Sequence, residues 1–329
     1  MPSSFLDQIK NELNPPQLDA VTYTGGPMLV LAGAGSGKTR VITYRIAYLI
    51  SDNHLAPWNI LAVTFTNKAA GEMKERVARV LNGSPRGMWI GTFHALCARI
   101  LRIDGKAAGI DPNFTVYDRS DQLAAIKQAM SICDISQQEL KPQKAISMIS
   151  KAKSRFEFAE QYQENKSDYL ERLVARIYIQ YQKILRQNKA LDFDDLLMET
   201  VRLFIDHPEV AEVYRKRFQH ILVDEYQDTN FPQYLFLKEL TQRHSNICVV
   251  GDDDQSIYSW RGATIRNILE FERDFNNVKI VRLEQNYRST KTILKAAASL
   301  VQHNEGRHEK TLLVQSGGWC EAGAGAVTG

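Results

Sequence analysis

The sequence contains no apolar run long enough to cross a bilayer, and its first ten residues, MPSSFLDQIK, lack the apolar core of a signal peptide. Both absences argue against a membrane or secreted protein, so we expect a soluble, cytoplasmic one. Cysteine is also scarce: Cys97, Cys133, Cys248 and Cys320 are scattered without the spacing of metal ligands. We expect them to be reduced thiols that are buried or incidental.

A large excess of one charge is missing as well, because 41 basic and 38 acidic residues leave a net charge of +3. This value is too small to predict a nucleic-acid partner by itself. One segment is locally basic, with Lys141, Lys144, Lys151, Lys153 and Arg155 and no acid among them. A solvated helix face explains this segment about as well as a track for phosphates does.

A glycine-rich turn joins a buried strand to a helix near the N-terminus. Residues 27–31 predict the strand, AGAGSGKT at 32–39 is the turn, and apolar residues recur at helical spacing over 41–50. Such glycines let consecutive N–H groups surround phosphate oxygens, while Lys38 adds a charge for the β- and γ-phosphates and Thr39 offers a hydroxyl to Mg²⁺. The segment predicts binding of a nucleoside triphosphate with Mg²⁺.

Two acids follow a second apolar run. Residues 221–223 predict an interior parallel strand, and Asp224 emerges at its carboxyl end, where open α/β sheets place their ligands. A carboxylate there suits Mg²⁺, and Glu225 beside it is placed to take a proton from an attacking water. Alone, the pair is explained equally well by a solvated strand end.

Four further segments carry polar and aromatic residues at the ends of predicted strands or near the glycine-rich turn. They are LNPPQ at 13–17, VTFTNKAA at 63–70 with MWIGTFH at 88–94, VVGDDDQSIYSWRGA at 249–263 and LEQNYRST at 283–290. In the third, Tyr258, Trp260 and Arg261 form a pattern typical of a stacking platform for unpaired bases. Taken singly, Phe65 or Phe93 is better explained by core packing.

These motifs, in this order, resemble those of the superfamily 1A DNA helicases, the Rep/UvrD/PcrA family, with the Rep branch the nearest match. The resemblance covers residues 11–313, and DEYQDT with VGDDDQSIYSWRGA makes it specific. It implies an α/β fold, namely a RecA-like P-loop NTPase with a parallel sheet and a helical insertion. It also implies an ATP-driven motor that moves 3′ to 5′ on single-stranded DNA and unwinds duplex DNA ahead of it.

The resemblance assigns roles to individual residues. The implied catalytic residues are Glu225, Lys38, Gln255 and Arg288, with Glu225 activating water and Gln255 and Arg288 sensing the γ-phosphate. The implied nucleotide-binding residues are Gln17, Gly33, Ala34, Gly35, Ser36, Gly37, Lys38, Thr39, Arg40, Tyr287 and Arg288, with Gln17 reading adenine and Arg40 and Tyr287 sandwiching its ring. Thr39 and Asp224 would hold Mg²⁺. The implied DNA-binding residues are Phe65, His94, Phe193, Tyr258, Trp260 and Arg261.

The family also implies a division into domains. We expect RecA-like domain 1A at 1–87 and 196–279, a helical insertion (1B) at 88–195, the start of domain 2A at 280–313, and a disordered tail outside the family pattern at 314–329. Strand 278–283 and helix 290–303 are expected to expose apolar faces, and Arg288 to be poorly supported. A shift of reading frame is one hypothesis for the tail, which sequencing the locus would test.

Two functions remain open from the sequence. The first is an ATP-dependent 3′–5′ DNA helicase acting on single-stranded and 3′-tailed or forked duplex DNA, with replication or repair proteins as partners and no membrane. The second is a noncatalytic module that binds ATP–Mg²⁺ and single-stranded DNA without unwinding. The helicase subunit of a helicase–nuclease is less favoured, because the sequence has no nuclease motif.

Overall fold

The computed structural model describes residues 5–164, 168–256, 263–301 and 313–314, which form both strands and helices. The strands are β1 (Met28–Ala32), β2 (Ile60–Thr64), β3 (Trp89–Thr92), β4 (Thr115–Tyr117), β5 (Ala190–Asp192), β6 (His220–Val223), β7 (Ile247–Gly251), β8 (Lys279–Leu283), β9 (Gln285–Asn286) and β10 (Leu313–Val314). The helices are α1 (Phe5–Ile9), α2 (Pro15–Thr22), α3 (Lys38–Ser51), α4 (Asn67–Val80), α5 (Phe93–Asp104), α6 (Arg119–Ile132), α7 (Pro142–Lys153), α8 (Ala159–Glu164), α9 (Tyr169–Gln187), α10 (Phe193–Asp206), α11 (Pro208–Arg217), α12 (Phe231–Thr241), α13 (Arg266–Leu269), α14 (Phe271–Asp274) and α15 (Lys291–Val301).

Six strands form one parallel sheet in the order β3-β2-β6-β7-β1-β8. Strands β1, β2 and β7 are buried along their whole length, which explains why their sequences are continuously apolar. Alternate residues face two cores: Leu29 and Leu31 pack on one side of the sheet, Met28 and Val30 on the other. The predicted α/β class with a parallel sheet is confirmed.

The strand order brings three predicted motifs to one edge of the sheet. Strand β7 lies between β1 and β6, with Leu29 paired to Val249 and Val223 paired to the same residue from the other side. The glycine-rich turn follows β1, the two acids follow β6, and Asp252 follows β7. Because carboxyl ends of parallel strands share an edge, these groups converge although they are far apart in sequence.

Within the chain between β3 and β6, a further core is formed mainly by helices. Helices α6, α7 and α9 contribute residues such as Ile126, Ile149 and Tyr178 to it, all essentially inaccessible to solvent. Helices α6 and α9 lie in the predicted helical insertion, and each follows an aspartate N-cap, Asp118 or Asp168.

The expected domain boundaries do not coincide with the edges of the sheet. Strand β3, which a boundary at residue 88 assigns to the insertion, is an edge strand of the sheet, and α5 packs with it in the same core. Strand β8, which a boundary at 280 largely assigns to domain 2A, pairs with β1 along five residues. The division into domains 1A, 1B and 2A stays a prediction, with these strands placed in the sheet.

Strand β8 also differs from the expectation of exposed apolar faces. Val281 and Leu283 are buried against the core that contains α3, because β8 completes the sheet beside β1. That expectation was wrong for residues 278–283. The tail predicted to be disordered lies outside the described residues, apart from Val314 in β10, which pairs with β9.

Candidate nucleotide site and nucleic-acid cleft

The turn between β1 and α3 adopts a backbone that requires glycine at two positions. Gly35 has φ +74° and Gly37 has φ +95°, both in the left-handed region. A Cβ on Gly35 would lie 2.6 Å from Cβ of Arg288, and one on Gly37 would lie 2.7 Å from Nε2 of Gln17. Ser36 is buried and its hydroxyl donates to the Gly33 carbonyl at 2.7 Å. The turn therefore closes tightly at the N-terminus of α3, with Lys38 as the first helical residue.

Gln17 lies against this turn. Helix α2 starts with a capping box in which Asn14 and Gln17 exchange side-chain and backbone hydrogen bonds. The Gln17 amide then donates to the Ser36 carbonyl at 3.0 Å, and the side chain is 1% exposed. Gln17 is thus a fixed part of the site and not the solvated side chain typical of a helix start. Its contact with adenine stays a prediction.

The segment after β8 is held by the glycine-rich turn itself. The Asn286 amide donates to the Ala34 carbonyl, and the Tyr287 N–H donates to the Gly35 carbonyl at 3.0 Å. The Asn286 side-chain oxygen accepts from the Arg288 N–H at 2.8 Å. The expectation that Arg288 is poorly supported was therefore wrong for its backbone, because the glycine-rich turn after β1 holds this segment in place.

Arg40 and Tyr287 are both exposed near the turn, as a nucleotide sandwich requires. Arg40 pairs with Glu12 at 3.4 Å, and its guanidinium lies 5.4 Å from the Tyr44 ring centre. The Tyr287 hydroxyl accepts from the Asn14 amide at 2.8 Å. Tyr287 is 46% exposed, so one ring face is open. The sandwich itself stays a prediction.

The two acids after β6 face Lys38. The Lys38 ammonium lies 3.3 Å from a Glu225 carboxylate oxygen. Burial and the neighbouring charge of Glu225 raise the pKa of the Asp224 carboxyl to about 7. Glu225 has φ +53°, an uncommon conformation for a residue with a side chain, and one that functional sites often contain. The backbone thus turns sharply to aim Glu225 at the lysine.

These residues fit a bound Mg²⁺. Asp224 is 5% exposed, and its carboxyl oxygen accepts only from the adjacent Glu225 N–H among the hydrogen bonds of the described residues. A buried carboxylate with a raised pKa is the group whose charge a divalent cation would stabilise. Thr39 and Asp224 offer the hard oxygen ligands that Mg²⁺ prefers. Their role as ligands stays a prediction.

Gln227, to which no role was assigned, connects β6 to β7. Its amide donates to the Glu225 carboxylate at 2.9 Å, and its carbonyl oxygen accepts from the Asp252 N–H at 3.0 Å. Gln227 is 1% exposed, and a Cβ on Gly251 would meet its oxygen at 2.8 Å. The Gln255 amide donates to the Asp252 carboxylate. The motif DEYQDT contained Gln227, but only the strand order shows which partners it has.

Three of the predicted DNA-binding residues line one cleft of about 1540 Å³ between the sheet and the helical insertion. Phe65 packs edge-on against the buried Phe93 at 5.7 Å, and His94 packs edge-on against Phe193 at 5.8 Å. Phe193 is 48% exposed, so it is available to a ligand. Phe93 is a core residue, in agreement with the interpretation of this side chain as core packing.

Tyr258, Trp260 and Arg261 lie outside the described residues, so their predicted contact with DNA stays a prediction.

The basic segment contains both exposed and buried side chains. Lys151 and Arg155 are exposed and line the cleft. Lys153 is fully buried and pairs with Asp192 at 2.6 Å and Asp195 at 2.7 Å. Burial opposes its charge, yet the two carboxylates raise the pKa of Lys153 well above its usual value. Lys153 is therefore neither a solvated residue nor a phosphate contact.

The pattern missed several residues that line the cleft. Arg119 at the start of α6, Arg266 at the start of α13, and the aromatic pair Phe231 and Tyr234 on α12 all contribute to its surface. Phe231 and Tyr234 come soon after DEYQDT in the sequence, and this proximity was the one feature that could have indicated that they line the cleft.

A parallel sheet with a glycine-rich loop and two acids at one edge, beside a helical insertion, defines an α/β protein of the RecA-like helicase type. The family model described as UvrD/REP helicase N-terminal domain matches residues 13–276. The chain belongs to this family, which confirms the resemblance found in the motifs.

Curated relatives agree with this assignment. The chain is 50% identical over 310 residues to ATP-dependent DNA helicase PcrA of Bacillus subtilis, 94% of the chain and 42% of that protein. It is 48% identical over 307 residues to the helicase of the same name in Staphylococcus aureus, 93% of the chain and again 42% of the relative. The chain thus spans less than half the length of these relatives. Among the described residues, no helix has the length and apolar character needed to cross a membrane.

Proposed function

We propose that this chain carries the ATP-hydrolysing and DNA-contacting part of an ATP-dependent 3′–5′ DNA helicase, which couples hydrolysis to movement along single-stranded DNA. One observation carries the proposal. A small pocket of about 320 Å³ is lined at once by Glu225, Gln227 and Gln255 from the nucleotide side and by Thr64 and Phe65 from the cleft side. A change at the nucleotide can therefore reach the DNA-contacting wall through side chains that line the same pocket.

Lys38 and Glu225 suggest how nucleotide binding prepares the site. In their present arrangement the lysine neutralises the carboxylate across 3.3 Å. A triphosphate competes for the lysine, because its β- and γ-phosphates carry more negative charge than one carboxylate. Glu225 is then free to orient a water and accept its proton. The Gln227 amide, 2.9 Å from the same carboxylate, keeps it aimed during this exchange.

Mg²⁺ and ATP are the ligands that this chemistry requires. Thr39 and Asp224 would hold the metal, which would offset the charge that builds on the phosphate oxygens. Gln17, the loop from Gly33 to Thr39, and Arg288 would hold the nucleotide. Gln255, which donates to Asp252 at the end of β7, would report on the γ-phosphate.

The cleft fits a single strand of DNA. Phe65, His94 and Phe193 supply aromatic surface, and Lys151 and Arg155 supply positive charge beside it. Both features are typical of sites that bind single strands without sequence preference. The names of the curated relatives, ATP-dependent DNA helicases, support the same substrate. We extend the proposal to 3′-tailed or forked duplex DNA, with replication or repair proteins as partners.

Steady-state ATP hydrolysis tests the proposal, with and without a fifteen-nucleotide oligothymidylate, on the wild-type chain and on Glu225→Gln. We expect hydrolysis that DNA stimulates and that the variant loses, while both proteins bind nucleotide. Movement is tested next on duplexes with a 3′ or a 5′ single-stranded tail, of which only the first should be unwound.

The Lys38–Glu225 ion pair favours a second candidate function. If the pair persists when ATP is bound, Glu225 cannot accept a proton, and the chain is a module that binds ATP–Mg²⁺ and single-stranded DNA without acting on them. Binding of both ligands with no turnover would establish this function and rule out the first for the chain.

A further inference from the structure

An exposed aromatic pair stands on the wall of the cleft that the sheet domain provides. The rings of Phe231 and Tyr234 are stacked, with centres 6.0 Å apart and planes inclined by 20°. Phe231 is 41% exposed, and both residues line the cleft that also contains Phe65 and Phe193. The pair is therefore a contiguous aromatic surface open to whatever occupies the cleft.

Local structure fixes the orientation of this surface. Asn230 caps α12 through a capping box with Gln233, whose two hydrogen bonds measure 2.9 and 3.0 Å. Phe231 and Tyr234 are three residues apart at the start of α12 and so project from the same face of the helix. The Tyr234 hydroxyl donates to Asp274 at 2.8 Å, which anchors the second ring. The platform is thus held from both sides.

The charges that line the cleft determine which part of a ligand fits here. The insertion contributes three cations, Arg119, Lys151 and Arg155, and one acid, Asp194, to the lining, so its wall carries net positive charge. Around the aromatic pair the lining contains Glu270 and Asp274 with Arg266, and the Lys238 ammonium lies 5.5 Å from the Tyr234 ring centre. Phosphates are favoured on the net-positive wall of the insertion, whereas the charges beside the pair balance and an uncharged ring can stack on Phe231.

Resting on the proposed function, we propose that Phe231, backed by Tyr234, stacks an unpaired base of the bound strand while the insertion wall holds its phosphates. This adds a base-binding position that none of the recognised motifs contains. It also sets the orientation of the strand, with bases toward α12 and backbone toward α7.

Equilibrium binding to two oligonucleotides tests the inference. One probe is oligothymidylate of fifteen nucleotides, and the other is an abasic strand of equal length with the same phosphates. Phe231→Ala should weaken binding of oligothymidylate by about 5- to 150-fold, the loss of one stacked base, and leave the abasic strand unaffected. Phe231→Leu should lose most of the same affinity, because it keeps apolar bulk but no ring face.

Tyr169→Ala is the matched control. Tyr169 is also an exposed aromatic residue near the start of a helix, 60% accessible on α9, and it does not line the cleft. Its removal should leave both affinities unchanged. Thermal melts of all variants test whether they fold, which we expect because neither substituted side chain belongs to the buried core.

The outcomes separate this inference from the function on which it rests. If the wild-type chain binds oligothymidylate and Phe231→Ala binds it equally well, the base position is refuted. An equal loss on the abasic strand refutes stacking too, since the ring would then act on the backbone. A wild-type chain that binds neither probe overturns the proposed function and this inference together.

Discussion

At the residue scale, single side chains decide the geometry of the nucleotide site. Gly37 has no room for a Cβ, because the Gln17 amide occupies that space. Gln227 is 1% exposed, and the two ends of its amide are bound to Glu225 after β6 and to Asp252 after β7. Glu225 occupies a left-handed backbone conformation that only its surroundings can maintain. Small changes at these positions should therefore have large effects.

Gly37→Ala tests this at the glycine-rich turn. The new methyl group would require both a positive φ and the displacement of Gln17, so we expect a loss of about 1–3 kcal/mol in stability and a severe loss of ATP affinity. Urea denaturation and binding of a fluorescent ATP analogue measure the two effects.

Gly71→Ala is its matched control. Gly71 lies inside α4, and a Cβ there would meet no atom within 4 Å. The same substitution should stabilise the protein by about 0.5–1 kcal/mol, because alanine favours a helix interior, with ATP affinity unchanged. Equal ATP affinity in both variants would contradict the tight closure of the turn.

At the element scale, a buried ion cluster joins the insertion to the cleft. Lys153 at the end of α7 pairs with Asp192 and Asp195, which form the capping box of α10. The Tyr181 hydroxyl from α9 donates to the same Asp192 at 2.9 Å. Phe193 is the first residue of α10, so the cluster positions this exposed ring. One set of charges therefore aligns three helices behind the wall of the cleft that we propose contacts DNA.

Lys153→Met should destabilise the protein by about 3–5 kcal/mol, because it leaves two buried carboxylates without their cation. Urea denaturation measures the loss. Lys151→Met, two residues earlier and exposed, should change stability by less than about 0.5 kcal/mol.

Binding to oligothymidylate at several salt concentrations completes the comparison. Lys151→Met should make the dependence on salt shallower by about one phosphate contact. Similar stabilities for the two variants would mean that the Lys153 cluster is not a structural support.

At the scale of the whole molecule, the sheet, with a core on each face, and the helical core of the insertion lie on either side of one cleft. The sheet is covered on both faces by apolar residues, and the insertion has a core of its own. The cleft is formed where they meet, so its shape depends on both being folded. If the proposed function is correct, stability of the sheet is thus a condition for DNA binding as well as for hydrolysis.

His220, at the start of β6, makes sheet stability dependent on pH. Burial, with the charges of Arg45 and His244, lowers the pKa of His220 to about 4. The unfolded chain binds this proton near pH 6.5 and the folded chain does not, so this contribution to stability is present above pH 6.5 and is lost as the pH falls toward 4. Between pH 7.5 and 5 the loss should be about 2 kcal/mol.

Urea denaturation of the wild-type chain and of His220→Gln, measured across this range, isolates the effect. Carboxyl groups titrate in both proteins and cancel in the difference, so the stability of the variant should depend less on pH. Parallel curves for the two proteins would show that His220 titrates normally.

Short stretches of the sequence determined the main strands of the sheet, the glycine-rich turn and the acidic motif, because the period of apolar residues and the backbone freedom of glycine act over a few residues. It also indicated that Phe65, His94 and Phe193 share a surface, through the family resemblance. Tertiary structure alone decided that β8 belongs to the sheet, that Lys153 is buried while Lys151 is exposed, and that Phe231 faces the cleft. Each of these depends on contacts between residues tens to hundreds of positions apart, as with Lys153 and Asp192 or β1 and β8. Many residues share the same local sequence pattern, and only packing in the folded chain decides which of them come into contact.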